Sequence, residues 1–402
     1  MQIREVTLEE MKDVYYLSQQ AFTHGRRDPN WQPSADAAQL TRYGVYDAAQ
    51  LTRYGVYDEN GLQQKVVVLN YRTHLGPDVV VPMGGVAGVS CLPASRGKGY
   101  TSACMDYSLE RMRDAGQVIS LLHPFSWAFY RKHGYEWVGE QREYKVLSRV
   151  LKSTPETEFV RAAKPADRST LLAVYTEFAG RYRGMTLRAD HAWNEILNDT
   201  DSEFTYTYLY ERDGKAEGYL TLRGGKGDQT NIREFISLTP RAQKGLLGLL
   251  KRHDMQTEKF AWHAPNDDSF WLQQYNWDIE TNLQPTAMGR VVDVAAALTA
   301  WKPAKNVQGA VRFAIEDEHC PWNTGTWQAE FADGVVSVIA TGADPEVSLD
   351  IQAFTQAYFG TPTLEALRRA DRLSVQSETG FGALTSLLAG PLMWLNDHLK
   401  AV

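Results

Sequence analysis

The stretch VSCLPASRGKGYTS, Val89 to Ser102, reads as a buried strand that runs into a basic, glycine-bearing turn and then opens a helix. Successive backbone N–H groups in such a turn, together with the positive end of the helix dipole, hold a polyphosphate, and Arg96 and Lys98 add full charges. It is not a Walker motif, because Lys98 is followed by glycine and not by Ser or Thr. Downstream, Met105, Leu109 and Met112 recur at helical spacing, and the helix ends near Ala115 and Gly116. Val118 to Leu122 is a further buried strand. The following PFSWAFYRKHGYEWVGEQREYKVL, Pro124 to Leu147, predicts a short helix and then a closing hairpin.

Upstream, Met1 to Val6 reads as a strand. Thr7 with Glu10 three residues on is a capping-box signature, and Met11, Tyr15, Ser18 and Phe22, with Val14, supply a helical face. Asp36 to Tyr46 (DAAQLTRYGVY) then repeats without change as Asp47 to Tyr57. Eleven residues is close to three helical turns, so a helix would absorb the repeat; the alternative is a looped-out copy. Two copies do not make a solenoid, and a recent duplication without functional meaning is the favoured reading. Antiparallel sheet follows, with a turn at Asp58 to Gly61 and further strands at Val79 to Val81 and Val86 to Leu92.

At 402 residues the chain is expected to hold two or three domains. An apolar fraction of 43% with 11% aromatics supports packed cores, and no run approaches the length of a membrane span. The start, MQIREVTLEE, has no signal-like apolar region, so a cytoplasmic protein without membrane contact is expected. Cys91, Cys104 and Cys320 are too few and too scattered for a disulfide framework or structural zinc, and His123, His133, His253 and His263 lack ligand spacing; no metal is expected. The net charge of −7 argues against nucleic-acid binding and is compatible with small cationic ligands.

From near Glu158 the opening plan recurs. Phe159 to Gly180 again reads as strand, polar cap and aromatic-rich helix; strands at Phe204 to Tyr210, Glu217 to Leu222 and Ile232 to Leu238 and a helix at Arg241 to His253 follow. FWLQQYNWDIE (Phe270 to Glu280) mirrors WAFYRKHGYEW (Trp127 to Trp137). The counterpart of the basic turn, TPRAQKGLLG at Thr239 to Gly248, lacks the matching glycine, so this copy is expected to have lost its cofactor. The remainder predicts a compact α+β unit with strands at Val311 to Glu316, Thr326 to Phe331 and Gly334 to Ala340, helices at Ile351 to Phe359 and Thr363 to Ala370, and an ordered apolar terminus.

Strand, Arg96-x-x-Gly99 turn, helix, strand and the helix bearing Phe129 to Tyr135 together resemble the core of a GNAT acyltransferase. With a degenerate second copy and an α+β tail, all 402 residues resemble the Eis (enhanced intracellular survival) family of N-acetyltransferases. The resemblance implies a mixed α/β, α+β fold: a catalytic GNAT domain (1–150), a degenerate GNAT domain (151–295) and a sterol-carrier-protein-like domain (296–402). It implies acetyl-CoA as co-substrate, no metal, hexameric assembly, and acetylation of primary amines on aminoglycosides and related polycations. By position, backbone groups of Val89 and Cys91 would meet the pantetheine arm, and Arg96, Gly97, Lys98, Gly99, Tyr100 and Thr101 would surround the pyrophosphate. The common motif prefers Gly or Ala where this chain has Thr101. Tyr130 matches the family's general acid, although from the residues alone a core aromatic beside Phe129 is the favoured reading. Val402 matches the terminal residue whose carboxylate is the general base. Tyr15, Tyr16, Phe22 and His24 line the acceptor pocket in such proteins, or are core.

The chemistry suits those residue types. An alkylamine of pKa near 10 is almost wholly protonated at neutral pH, and roughly three pK units correspond to about 4 kcal/mol of lost nucleophile, so a base is required. A phenol near 10 is close enough to a thiol near 8.5 to protonate a departing thiolate. Cys91 and Cys104 read as inert strand and helix packing, without an activating His-Asp pattern, so direct transfer in a ternary complex is expected. The other readings are acetylation of protein or peptide lysines, and a non-catalytic binder of CoA or an apolar ligand.

Overall fold

The computed structural model describes residues 1–22, 51–188, 193, 196–197, 205–223, 228–274 and 279–395. The chain begins β1 (Gln2–Glu5), α1 (Met11–Phe22), β2 (Leu51–Asp58), β3 (Gly61–Leu75), β4 (Val80–Cys91), α2 (Tyr100–Asp114), β5 (Ile119–Leu122), α3 (Trp127–Arg131) and β6 (Glu136–Trp137). It continues β7 (Glu140–Leu147), β8 (Val160–Ala162), α4 (Arg168–Ala179), β9 (Arg183–Thr186), β10 (Thr205–Arg212), β11 (Lys215–Arg223), β12 (Gln229–Ser237), α5 (Pro240–Lys251), β13 (Lys259–Ala264), β14 (Ile279–Pro285) and β15 (Met288–Val291). The last part holds α6 (Val294–Ala300), β16 (Gly309–Glu316), β17 (Gly325–Ala332), β18 (Val335–Thr341), β19 (Val347–Asp350), α7 (Ile351–Phe359), α8 (Leu364–Arg369), β20 (Leu373–Val375) and α9 (Glu378–Leu388).

Among the described residues three sheets form. The first runs β1-β2-β3-β4-β5-β15-β6 with β9 added to β3, the second β14-β7-β13-β12-β11-β10-β8, and the third β18-β17-β16-β19-β20. The first two exchange strands. β7 leaves the first unit and inserts between β13 and β14, whereas β15 returns between β5 and β6. The closing hairpin expected after α3 is therefore split: β6 and β7 lie in different sheets, because each finds a longer or better-buried partner than the other.

Local chemistry explains the elements. The Glu10 carboxylate accepts from the Thr7 N–H at 2.8 Å and pairs with Arg4 at 2.6 Å, which closes the capping box ahead of α1. α1 buries Val14 and Leu17, not the row through Tyr15 and Phe22 that the sequence suggested. The Asp58 to Gly61 turn forms, with the Asn60 N–H donating to the Asp58 carboxylate and Gly61 at φ +88°. Leu51 to Tyr57, the described part of the second repeat copy, is strand β2, so a helix does not absorb that copy; Asp36 to Tyr46 lies outside the described residues. The two strands read at Val79 to Val81 and Val86 to Leu92 are one continuous strand, β4.

The third unit does not stand apart. Val311, Phe313 and Ile315 alternate inward along β16, and Phe354 of α7 stacks on Phe313. The same apolar cluster takes in Met83, Ile119, Leu121 and Val138 of the first unit. Two fully buried arginines cross the seam. Arg290 of β15 holds Asp317 at 2.7 and 2.8 Å and donates to the His133 carbonyl. Arg183 of β9 donates to the Tyr358 and Leu388 carbonyls and lies over the Trp301 ring.

Candidate active site

β4 carries the geometry that matters. Lys65 opposes Ser90 and Val67 opposes Ala87, so Val66 alone faces both Gly88 and Val89; β4 holds one extra residue, a β-bulge. Gly88 sits there at φ +53°, a backbone state that disfavours a side chain. On its other side β4 pairs with β5 in parallel only at Met83–Ile119, Gly84–Ser120 and Gly85–Leu121. Past Gly85 the two strands part, and the segment from Val86 to Cys91 presents an edge that β5 does not cover. Such an edge offers backbone donors and acceptors to an extended, amide-bearing ligand, as an added strand would use them. Val89 and Cys91, named from the sequence, both lie on this edge.

The floor of the bulge is electrostatically unusual. Lys65 is 1% exposed, and its Nζ donates to the Gly88 carbonyl at 3.0 Å; the Ser90 hydroxyl donates to the same oxygen at 3.2 Å. Burial, with a smaller contribution from nearby Arg53, pushes the Lys65 amine down to about 7. The trans peptide turns the Val89 N–H opposite to the Gly88 carbonyl, so Lys65 and Ser90 hold that N–H away from their own side of the sheet.

The basic turn forms as read. After the short 3-10 turn Pro93–Ser95, Gly97 and Gly99 both adopt the left-handed region, at φ +81° and +79°. A Cβ at either would meet nothing within 4 Å, so it is the backbone conformation, not space, that calls for glycine. Gly99 is the N-cap of α2 and provides no side-chain cap, and the first turn of α2 has no acidic residue. The leading amides of α2 thus face outward without an internal acceptor, between the exposed Arg96 and Lys98. The turn is braced from behind: the Ser95 hydroxyl donates to Gln63, the Leu92 N–H to the Gln63 carbonyl, and Tyr100 to Asp58. Thr101 is half-buried at the helix start.

Tyr130 belongs to the cluster that includes Val86, Cys104 and Met105, against which Val89 and Tyr100 also pack. The structure therefore gathers the strand edge, the turn and the phenol around one core. Ser126 caps α3, accepting from the Phe129 N–H, and Tyr130 is 4% exposed, edge-on to Phe125 and Phe129. Burial, with a smaller effect of Tyr135, pushes its phenol well above the ordinary tyrosine range. It is neutral at pH 7, and the rise widens its gap to a thiol near 8.5, which makes it a weaker acid than a free tyrosine. Tyr135 and Ser120 share a 2.8 Å hydrogen bond, and Ser120 donates to the Gly84 carbonyl, which ties this end of the site to the parallel part of the β4–β5 pair.

Burial raises the Cys91 thiol, and that of Cys104 up to about 12. Tyr15 is half-buried on α1, whereas Tyr16 and Phe22 are 48% and 55% exposed; none belongs to the apolar core beneath α1. His24 and Val402 lie outside the described residues. Sequence reasoning missed Lys65, Ser90 and the bulge itself. The only advance signal was the glycine density of Gly84, Gly85 and Gly88, since a two-against-one register is a property of two strands.

The equivalent helix start in the second unit is built differently. Thr239 caps α5, accepting from the Ala242 N–H, and Pro240 occupies the first helical position. Glu217 accepts from Thr239 at 2.9 Å and pairs with Arg241 at 2.6 Å, so a carboxylate of the chain's own fills the place of an anion. The start of α5 is thus occupied by the chain's own carboxylate, whereas no acidic side chain stands in the first turn of α2.

Comparison with known proteins agrees. Residues 2–138 and 184–291 each match an acetyltransferase (GNAT) domain, and 294–396 match a sterol carrier protein domain. An uncharacterized N-acetyltransferase of Streptomyces avermitilis is 29% identical over 79% of this chain and 80% of its own length. The N-acetyltransferase Eis of Mycobacterium tuberculosis is 23% identical over 76% of this chain and 77% of its own. The crystal structure of a conserved Enterococcus faecalis protein superposes with TM-score 0.86 at 26% identity, covering 99% of both chains. With two GNAT domains and a sterol-carrier domain docked behind them, the chain belongs to the Eis family of GNAT N-acetyltransferases.

Proposed function

We propose that the enzyme transfers the acetyl group of acetyl-CoA directly to a primary amine of a polycationic small molecule, an aminoglycoside or a compound of similar chemistry, in a ternary complex. The observation that carries the reading is the open β4 edge at the Gly88 bulge, continuous with the uncapped, doubly basic start of α2. The strand edge suits pantetheine amides, the turn suits a pyrophosphate, and the Val89 N–H suits a carbonyl oxygen that gains negative charge. The protonated amine loses one proton to the Val402 carboxylate, its nitrogen bonds to the thioester carbon, the C–S bond breaks as Tyr130 protonates the departing sulfur, and the surplus proton on the new amide nitrogen leaves to solvent, from which the phenolate is reprotonated. In support of the base, the last described residues run beside β9, which pairs with β3 of the first sheet, with hydrogen bonds from the Arg183 N–H to the Leu392 carbonyl and from the Trp394 N–H to the Arg183 carbonyl. The raised thiols of Cys91 and Cys104 favour direct transfer over an acyl-enzyme.

The net charge of −7 fits a cationic acceptor. Release of CoA thiol by C-terminally untagged protein, across aminoglycosides, polyamines and lysine peptides, tests the assignment. Turnover with aminoglycosides and intersecting double-reciprocal plots are expected; turnover confined to peptides moves the substrate class to protein lysines, and parallel plots overturn the ternary complex. Appending residues after Val402 is expected to lower kcat by about 100-fold or more. The same proposal includes hexameric assembly, which light scattering on the purified protein checks.

A further inference from the structure

Asp106, His133 and His319 are far apart in the chain, yet one ligand atom from each lies within 4.8 Å of the others at the seam between the first and third units. We propose that these three side chains form a binding site for a divalent transition-metal ion of the Zn2+ type, which staples the catalytic GNAT domain to the sterol-carrier domain. Asp106 projects from the middle of α2, His133 follows α3, and His319 lies in the connection between β16 and β17.

The spacing fits such an ion. His319 Nδ1 stands 2.8 Å from Asp106 Oδ1, and His133 Nδ1 stands 3.9 Å from the same oxygen. Bonds of about 2.0–2.2 Å at tetrahedral angles place ligand atoms about 3.4 Å apart, a value the two separations bracket. A second observation points the same way. His133 is 2% exposed, and its Nδ1 has no hydrogen-bond partner. Buried ring nitrogens are ordinarily satisfied, and 3.9 Å is too long for a hydrogen bond. The Asp106–His319 bond completes those two groups but leaves His133 aimed at them unsatisfied; one cation serves all three.

The surroundings permit it. The nearby buried cation, Arg290, is spent on Asp317 through both carboxylate oxygens, and its bond to the His133 carbonyl fixes that residue's backbone. Two neutral imidazoles and one carboxylate are a donor set typical of zinc with an open fourth position for water. Asp106 is 41% and His319 18% exposed at the side chain, which provides an entry path.

The test uses untagged full-length protein, dialysed against chelator and then freed of it, and titrated calorimetrically with Zn2+. Uptake of one equivalent per chain is expected, with a rise in the unfolding temperature. Co2+ in place of Zn2+ is expected to show the intense visible bands of a four-coordinate site. Asp106→Asn and His319→Gln, both at partly exposed positions, are expected to weaken binding at least about tenfold. Absence of stoichiometric uptake, or equal affinity in wild type and both variants, overturns the site. Should a variant fail to fold by circular dichroism, the Co2+ spectrum of the wild type decides: weak, six-coordinate-type bands overturn the proposal.

Discussion

Lys65 is an ionisable group that the fold takes out of water beneath the bulge. Its amine is pushed down to about 7 in the folded protein against an ordinary value near 10.4. A depressed folded value means stability that is present above about 10 and is lost as pH falls toward 7, because the unfolded chain binds the proton more tightly. Lys65→Met removes that loss. The urea midpoint of the variant relative to wild type is therefore expected to improve as pH is lowered from about 10 to about 7, and superimposable pH dependences would show that Lys65 is not so perturbed. Tyr130 shifts in the direction opposite to Lys65, because its charged form is the deprotonated one. A phenol pushed up by burial stays neutral through the working range, so Tyr130→Phe is expected to lower kcat by about 100-fold with little change in the KM for acetyl-CoA. An unchanged kcat in the CoA-release assay removes the acid assignment.

The two helix starts, α2 and α5, form an internal control at the scale of the element. Gly99→Ala places a side chain at φ +79° and is expected to cost about 1–2 kcal/mol in chemical denaturation while raising the KM for acetyl-CoA. Arg96→Gln with Lys98→Gln is expected to raise the same KM and to flatten its salt dependence, since both charges are exposed. In the second unit, Thr239→Ala removes a cap that accepts from Ala242 and is expected to cost about 1 kcal/mol with no effect on KM. A KM response to Thr239→Ala would mean that the second helix start does bind cofactor, against the view that Glu217 closes it.

Across the whole molecule, buried arginines do much of the joining. Arg290 and Asp317 are both fully buried, and the pair runs from β15 of the first sheet to the third unit. Asp317→Asn strands the guanidinium and is expected to destabilise by about 3–5 kcal/mol, whereas Arg290→Met with Asp317→Leu, which removes both charges, is expected to cost far less. Thermal unfolding of the two variants checks the difference, and equal losses would show that packing rather than charge holds the seam. The joining reaches the site. Gln352 and Gln356 of α7 donate to the carbonyls of Arg131 and Trp137, so the third unit supports the helix that carries Tyr130.

How far the chain could be read follows from the range of each interaction. The capping box at Thr7, the apolar row Met105, Leu109 and Met112, and the strand at Val311 to Glu316 are local, and all three stand as read. So does the Arg96 to Gly99 turn, whose two glycines and two cations specify backbone and charge without help from elsewhere. By itself, then, the sequence determined the local elements and the backbone of the basic glycine turn, because each rests on neighbours a few residues apart. The tertiary structure alone decided the rest. Which strand pairs with which sheet, where β4 bulges, which lysine lies under it, and that Asp106, His133 and His319 meet are outcomes of contacts between residues tens to hundreds apart. Register and burial belong to pairs of elements, and no periodicity along one of them encodes its partner.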